Sequence, residues 1–268
     1  MEKALLISIG NELLSGKTIN TNATFLAKKL TKLGFSIHKI LTIPDDQKIV
    51  SEEISRALSD VNYRLILITG GLGPTWDDST SSFLAKALNT ELELNSEALS
   101  IVTRRYADLF KEKLVDTAEI TPSREKMAFL PINAKPIDNP VGTAPGIFYN
   151  HKTSNTWVIC FPGVPREMEE MYHLVEPKII SLINEKKTNY HEIEFYTPFT
   201  DESLLAPLLD KVRKKHDVWI KSLPETYQEE KKIHIIISKA SNSVNAKEEV
   251  LAAKLYLQKI MNSSYSGK

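Results

Sequence analysis

Leu-Ile-Leu-Ile-Thr-Gly-Gly-Leu-Gly-Pro-Thr-Trp-Asp-Asp-Ser-Thr, residues 65–80, decides how the rest of the chain is read. Leu65–Ile68 is apolar at every position, so both faces of that strand need cover. A central strand of a parallel sheet flanked by helices meets that need. Gly70, Gly71 and Gly73 follow within four residues. Glycine accepts positive φ and lets another group approach the backbone. A glycine-rich loop that opens a helix can aim several N–H groups at one anion. Asp77 and Asp78 then set two carboxylates beside it, which points to a phosphorylated ligand with a divalent cation between ligand and protein. A strand, a tight turn and a capped helix would explain a lone Gly-Gly-x-Gly equally well. The acidic pair and four further loops favour the ligand site.

Working outward, Ala4–Ile9 reads as a buried strand ended by Gly10-Asn11-Glu12, with a polar loop on to Asn22. Ala23, Leu26, Ala27, Leu30 and Leu33 fall at helical spacing, with Thr21 or Asn22 as the expected cap. Ser36–Ile43 reads as a strand followed by Pro44-Asp45-Asp46. Val50, Ile54, Ala57, Leu58 and Val61 mark a helix, and Thr80–Leu88 another. Ser96 opens a longer helix, off whose apolar face Arg104 and Arg105 are expected to be solvated. Residues 113–136 show no regular pattern. Asn139–Gly146 is a loop shaped by proline and glycine. Ile147–Tyr149 and Thr156–Phe161 form a hairpin pattern, and Pro162–Pro165 opens a helix running to about Ser181.

This alternation predicts an α/β domain of three layers with a mostly parallel sheet, residues 1–184. Glu185–Asn189 reads as a linker. Beyond it a β-α-β-β-α order predicts a small α+β domain, 185–268, ending in a frayed tail from Ser263. In a doubly wound sheet, loops at the carboxyl ends of neighbouring strands converge on one crevice. Glu12, Asp45, Asp46, Asp77 and Asp78 are therefore expected to share a site, and so many carboxylates need a cation or ligand to offset them.

Composition narrows the possibilities. The 268 residues carry 34 basic and 34 acidic side chains, are 42% hydrophobic and include one cysteine. The balanced charge argues against nucleic acid and membrane as partners. Cys160 lies in an apolar strand pattern, where a buried structural thiol is expected, and a chain without an internal disulfide suits a reducing cytoplasm. No apolar run approaches the roughly 18 residues of a membrane span. The six histidines have no zinc-type spacing.

Thr69–Thr80, Asn139–Gly146 and Phe161–Met168, together with Gly10–Gly16 and Thr21-Asn22, closely resemble the motifs of the competence/damage-inducible CinA family. The resemblance implies a domain similar to the molybdopterin-binding fold of molybdopterin adenylyltransferases, followed by a KH-like domain. The latter lacks the Gly-x-x-Gly loop of nucleic-acid-binding members. It further implies a homodimer and binding of a small-molecule nucleotide. The activity it implies is metal-dependent pyrophosphatase cleavage of ADP-ribose to AMP and ribose 5-phosphate, with Mg, Mn or Co as the divalent ion.

Asp78, Asp45 and Glu12 are the expected catalytic residues, and Asp77 and Asp78 the expected metal ligands. Gly10, Asn22, Gly70, Gly71, Gly73, Pro74, Thr75, Thr80, Gly142, Thr143, Ala144 and Gly163 are the expected ligand-binding positions. Many members have Gly-Asp-Glu where this chain has Gly10-Asn11-Glu12, which leaves Glu12 as that loop's carboxylate. The amidase activity of longer CinA proteins is not expected. Two other readings are a molybdopterin-binding nucleotidyl transferase and a non-catalytic nucleotide-binding protein.

Overall fold

A computed structural model describes residues 1–60, 63–183, 189–227, 230–241 and 245–265. The chain divides into two compact units, one of Glu2–Thr31 and Phe35–Leu182, the other of Met1–Met1, Lys32–Gly34 and Ile183–Lys268. The expected linker falls almost wholly outside the described residues, as does Val61.

The larger unit runs β1 (Lys3–Ile9), α1 (Asn11–Leu14), α2 (Thr21–Lys32), β2 (Ser36–Ile43), α3 (Gln47–Ser59), β3 (Tyr63–Thr69), α4 (Thr80–Ala87), β4 (Leu92–Leu94), α5 (Ser96–Lys111) and α6 (Pro122–Glu125). A 3-10 turn (Lys126–Ala128) leads to β5 (Phe129–Pro131), β6 (Lys135–Ile137), β7 (Gly146–His151), β8 (Thr156–Phe161) and α7 (Pro165–Ile183). Six strands form one sheet in the order β2-β1-β3-β8-β7-β6. β2, β1, β3 and β8 are parallel, and the β7 and β6 pairings are antiparallel.

β3 lies between β1 and β8, with Ile68 opposite both Ile7 and Cys160. Leu65, Ile66, Leu67 and Ile68 are each 0% exposed, so a strand apolar at every position sits where both faces are covered. The core gathers Val50 and Ile54 of α3, Phe83 and Leu84 of α4 and Val102 of α5 around the sheet. Met168 and Met171 of α7 are fully buried. Cys160 is also fully buried, and burial pushes its thiol well above the usual range.

Three local expectations change. The polar loop after β1 contains the short helix α1. Asn20, rather than Thr21 or Asn22, caps α2, its Oδ1 accepting from Ala23 N at 3.1 Å. The unpatterned stretch 113–136 contains α6, the 3-10 turn, the three-residue β5 and the start of β6, and β5 pairs antiparallel with β4.

The smaller unit contains β9 (Asn189–Thr197), α8 (Glu202–Lys215), β10 (Trp219–Tyr227), β11 (Glu230–Ser241) and α9 (Ala246–Tyr265). Its antiparallel sheet has the order β10-β11-β9. Leu205 and Val212 of α8 pack with Ile235, Ile237, Val250 and Leu257. Pro224 is tolerated because β10 is an edge strand. α9 continues through Tyr265, beyond the point where fraying was expected. Among the described residues, no helix is long and apolar enough to cross a membrane.

Candidate nucleotide site

β1, β2, β3 and β8 point the same way, so their carboxyl ends lie along one edge of the sheet. β7 runs against β8, which brings the loop entering Gly146 to that same edge. All five loops singled out in the sequence therefore hang from one rim. Gly10 N donates to Ile43 O at 3.1 Å and Gly70 N to Phe161 O at 3.0 Å. The buried Asn22 donates its Nδ2 to Gly163 O at 2.8 Å.

The glycine loop is braced from within. Gly70 and Gly71 have φ of 105° and 68°, and a Cβ on Gly70 would collide with the Ile9 carbonyl, so no other residue fits there. Thr80 is fully buried. Its Oγ1 donates to Gly70 O at 2.8 Å and its N–H to Gly71 O at 2.9 Å, which makes Thr80 a closure of the loop. Asp78 Oδ2 accepts from Thr75 N at 3.0 Å and Thr75 Oγ1 at 2.6 Å. Asp77 Oδ1 lies 2.5 Å from that same hydroxyl, whose one proton serves a single carboxylate at a time. The Lys126 ammonium donates to Thr75 O. Among the described residues, the amides of Gly71, Leu72 and Gly73 have no hydrogen-bond partner. Trp76, after Pro74 and Thr75, is 91% exposed.

Asp45 is half-buried and accepts from Asn11 N at 3.0 Å. Burial pushes its pKa up, and the negative charges of Glu12 and Asp77 push it further. Asp45 thus feels the charge of two of the other expected carboxylates, each from a different segment of the rim. Asp77 is held below the usual carboxylate range, chiefly by the Thr75 hydroxyl. Asp46 does something else: it is the N-cap of α3, its Oδ1 accepting from Ile49 N at 2.9 Å, which accounts for it without a ligand. Among the described residues, no group of three or more His, Cys, Asp or Glu is placed to hold a metal ion by itself.

Asn139 organises the loop before β7, a role that its place in a proline- and glycine-rich run did not advertise. It is 0% exposed. Its Nδ2 donates to Ala144 O and Glu167 Oε2, both at 2.8 Å. Its Oδ1 accepts from Val141 N at 3.1 Å and Gly142 N at 2.7 Å. The Gly142 N–H is therefore already engaged, and a Cβ at Gly142 would collide with the Glu167 carboxylate. Ala144 is buried and Thr143 half-buried. Burial pushes Glu167 up, against the lowering effects of Asn139 and Arg105.

The expectation of solvated arginines fails for Arg105. Its Nε donates to Gly142 O at 2.8 Å and its Nη2 to Val141 O at 2.6 Å. Arg104 pairs with the half-exposed Asp138. A guanidinium that grips two carbonyls of a loop more than thirty residues away leaves no signal in local sequence spacing.

Behind the glycine loop lies a cavity of about 240 Å³. Gly71, Gly73, Asp78, Ser79 and Lys126 border it on the loop side, and its lining includes Leu72, Leu92, Met127, Phe129, Leu130 and Ile147.

With this geometry in place, similarity to known proteins is informative. The family described as "Probable molybdopterin binding domain" matches residues 5–181. Protein SSO0103 of Saccharolobus solfataricus is 40% identical over 225 residues, 84% of this chain and 78% of that protein. Protein PYRAB15930 of Pyrococcus abyssi is 39% identical over 225 residues, 84% of this chain and 86% of that protein. The solved structure of "the protein CinA with unknown function" from Thermoplasma acidophilum superposes with a TM-score of 0.60 at 36% identity, covering 66% of this chain and 98% of that one.

Proposed function

The chain belongs to the family of probable molybdopterin-binding domains, as a CinA-like member, and from that premise we propose that it is a metal-dependent nucleotide pyrophosphatase cleaving ADP-ribose to AMP and ribose 5-phosphate. One observation carries the reading: Asp45 lies within the field of Glu12 and Asp77, which come from two other segments of the rim, and the Asp77 loop carries amides that have no hydrogen-bond partner among the described residues. Uncompensated, such a cluster opposes its own ionisation; with a cation and phosphate it becomes a binding site.

The donor set fits a hard divalent ion that is completed by phosphate oxygens and water rather than caged by protein, the habit of Mg²⁺. When bound, such an ion neutralises phosphate charge and polarises phosphorus. The amides of Gly71, Leu72 and Gly73 hold non-bridging oxygens, and the Lys126 ammonium adds positive charge at the loop. Asp77, held low by its bond to Thr75, and Asp78 would offer oxygen to the cation. Asp45 takes the proton of the attacking water, because a carboxylate pushed up by burial is a better base than a solvated one. The water oxygen bonds to phosphorus, the bridging P–O bond breaks, and the leaving phosphate departs with that electron pair.

The test is incubation of the purified chain with ADP-ribose and Mg²⁺, Mn²⁺ or Co²⁺, with chromatography of the products. AMP and ribose 5-phosphate in equal amounts, lost on chelation, support the reading. Intact ADP-ribose under all three metals refutes it. The family match favours one alternative, adenylyl transfer to molybdopterin, which a parallel incubation with ATP and molybdopterin examines.

A further inference from the structure

The cavity beside the glycine loop shares Gly71, Leu72, Gly73, Asp78 and Lys126 with the chemistry above, and the rest of its lining has no part in that chemistry. Leu72, Leu92, Met127, Phe129, Leu130 and Ile147 give its lining an apolar stretch, beside which Ser81 and Ser82 are polar. Its loop side offers Ser79 and the Lys126 ammonium, with Asp78 the carboxylate among its lining residues. Against the apolar stretch a phosphate would lose its hydration and ribose hydroxyls would go unpartnered. At about 240 Å³ the space lies below the roughly 300–1,000 Å³ of sites for whole drug-sized ligands. That suits one flat ring system, which can bury apolar area on both faces.

We infer that this cavity receives the purine base of the nucleotide, so that the base-bearing half of the substrate is fixed against the glycine loop. The inference rests on the pyrophosphatase reading for its choice of ligand. A base inside the cavity places its own phosphate at Gly71–Gly73, the residues common to both sites. The second phosphate then extends towards Glu12, Asp45 and Asp77. Specificity follows from this placement: the walls favour a planar heteroaromatic group on one phosphate, whereas the group on the other phosphate meets carboxylates and loops.

Met127 supplies a readout independent of catalysis. The full chain, labelled with ¹³C-methyl methionine, is titrated with AMP and with ribose 5-phosphate, and the Met127 methyl is assigned with Met127→Leu. The ring current of a bound purine moves the Met127 methyl on AMP addition and leaves it unmoved by ribose 5-phosphate. AMP binds at least about tenfold more tightly than ribose 5-phosphate, because only AMP removes ring area from water. Leu92→Trp, which fills the cavity, cancels the AMP shift and leaves ribose 5-phosphate affinity unchanged. Should that variant lose its cooperative melt, the wild-type titration decides alone. A Met127 methyl unmoved at AMP saturation, an equal response to ribose 5-phosphate, or no AMP binding at millimolar concentration overturns the inference. ADP-ribose cleavage with a silent Met127 sinks the base site and spares the pyrophosphatase. A shifted Met127 without cleavage does the reverse.

Discussion

Replacing Asn139 by alanine removes four hydrogen bonds at once, two donated and two accepted. Each contributes a net of about 0.5–1.5 kcal/mol, which brackets the loss at about 2–6 kcal/mol. Arg105 continues to hold the Val141 and Gly142 carbonyls, which keeps the loop near its place, so the lower half of that range, about 3 kcal/mol, is expected. In a unit of this size 1 kcal/mol moves the melting temperature by roughly 2–4 °C, so the melt should fall by roughly 6–12 °C. Asn139→Asp refines the argument. It keeps the acceptor for Val141 and Gly142, loses both donors and sets a second carboxylate against Glu167. Glu167 is already pushed up by burial, so repulsion is fully present above its folded pKa and is relieved as pH falls through it. Asn139→Asp should therefore recover stability on acidification relative to wild type, whereas Asn139→Ala should not. Urea unfolding across pH reads both effects. An Asn139→Ala variant within about 0.5 kcal/mol of wild type, the range of ordinary surface changes, would refute the account of this loop.

Three other perturbations probe the same rim. Asp77→Asn removes a negative charge that helps raise Asp45; the Asp45 pKa should fall, its ionised form should persist to lower pH, and carboxyl NMR titration measures the shift. Arg105→Ala should destabilise by about 2–3 kcal/mol as two carbonyls lose a charged donor; Arg105→Lys should recover only part of this, because an ammonium cannot fork across both oxygens, and thermal melts of the pair settle it. Cys160, buried with its thiol pushed up, should resist thiol-directed disulfide reagents in the folded protein and react fully in denaturant; prompt labelling in native buffer would contradict the buried strand.

Features that depend on a long, repeated pattern were legible in the sequence. The unbroken apolar run of β3 and the alternation of strands and helices led directly to a parallel sheet, and a parallel sheet puts the loops after β1, β2, β3 and β8 on one edge. What stayed hidden was short or non-local. α1 is a single turn, and β4, β5 and β6 have three residues each, too few for any period to show. Asn139 and Arg105 act through partners across loops, and nothing in their neighbours announces this. Asp46 and Thr80 show a structural role that their motifs did not announce. Both lie in motifs that attract a ligand reading, and in the fold one caps α3 and the other closes a loop. The acidic cluster was thus half legible: the sequence collects the carboxylates, and only geometry separates Asp45 from its neighbour.

The closure of the glycine loop by Thr80 has a kinetic consequence. Immobilising a residue costs roughly 1–2 kcal/mol, and between Gly70 and Thr80 that cost is met when the protein folds. An anion bound there as proposed would meet a loop already closed, so its capture would not wait for the loop to rearrange. Association should then run at a rate set by diffusion and by charge. It should slow in proportion to solvent viscosity and respond to ionic strength, and it should show no lag, saturation or separate slow phase as ligand concentration rises.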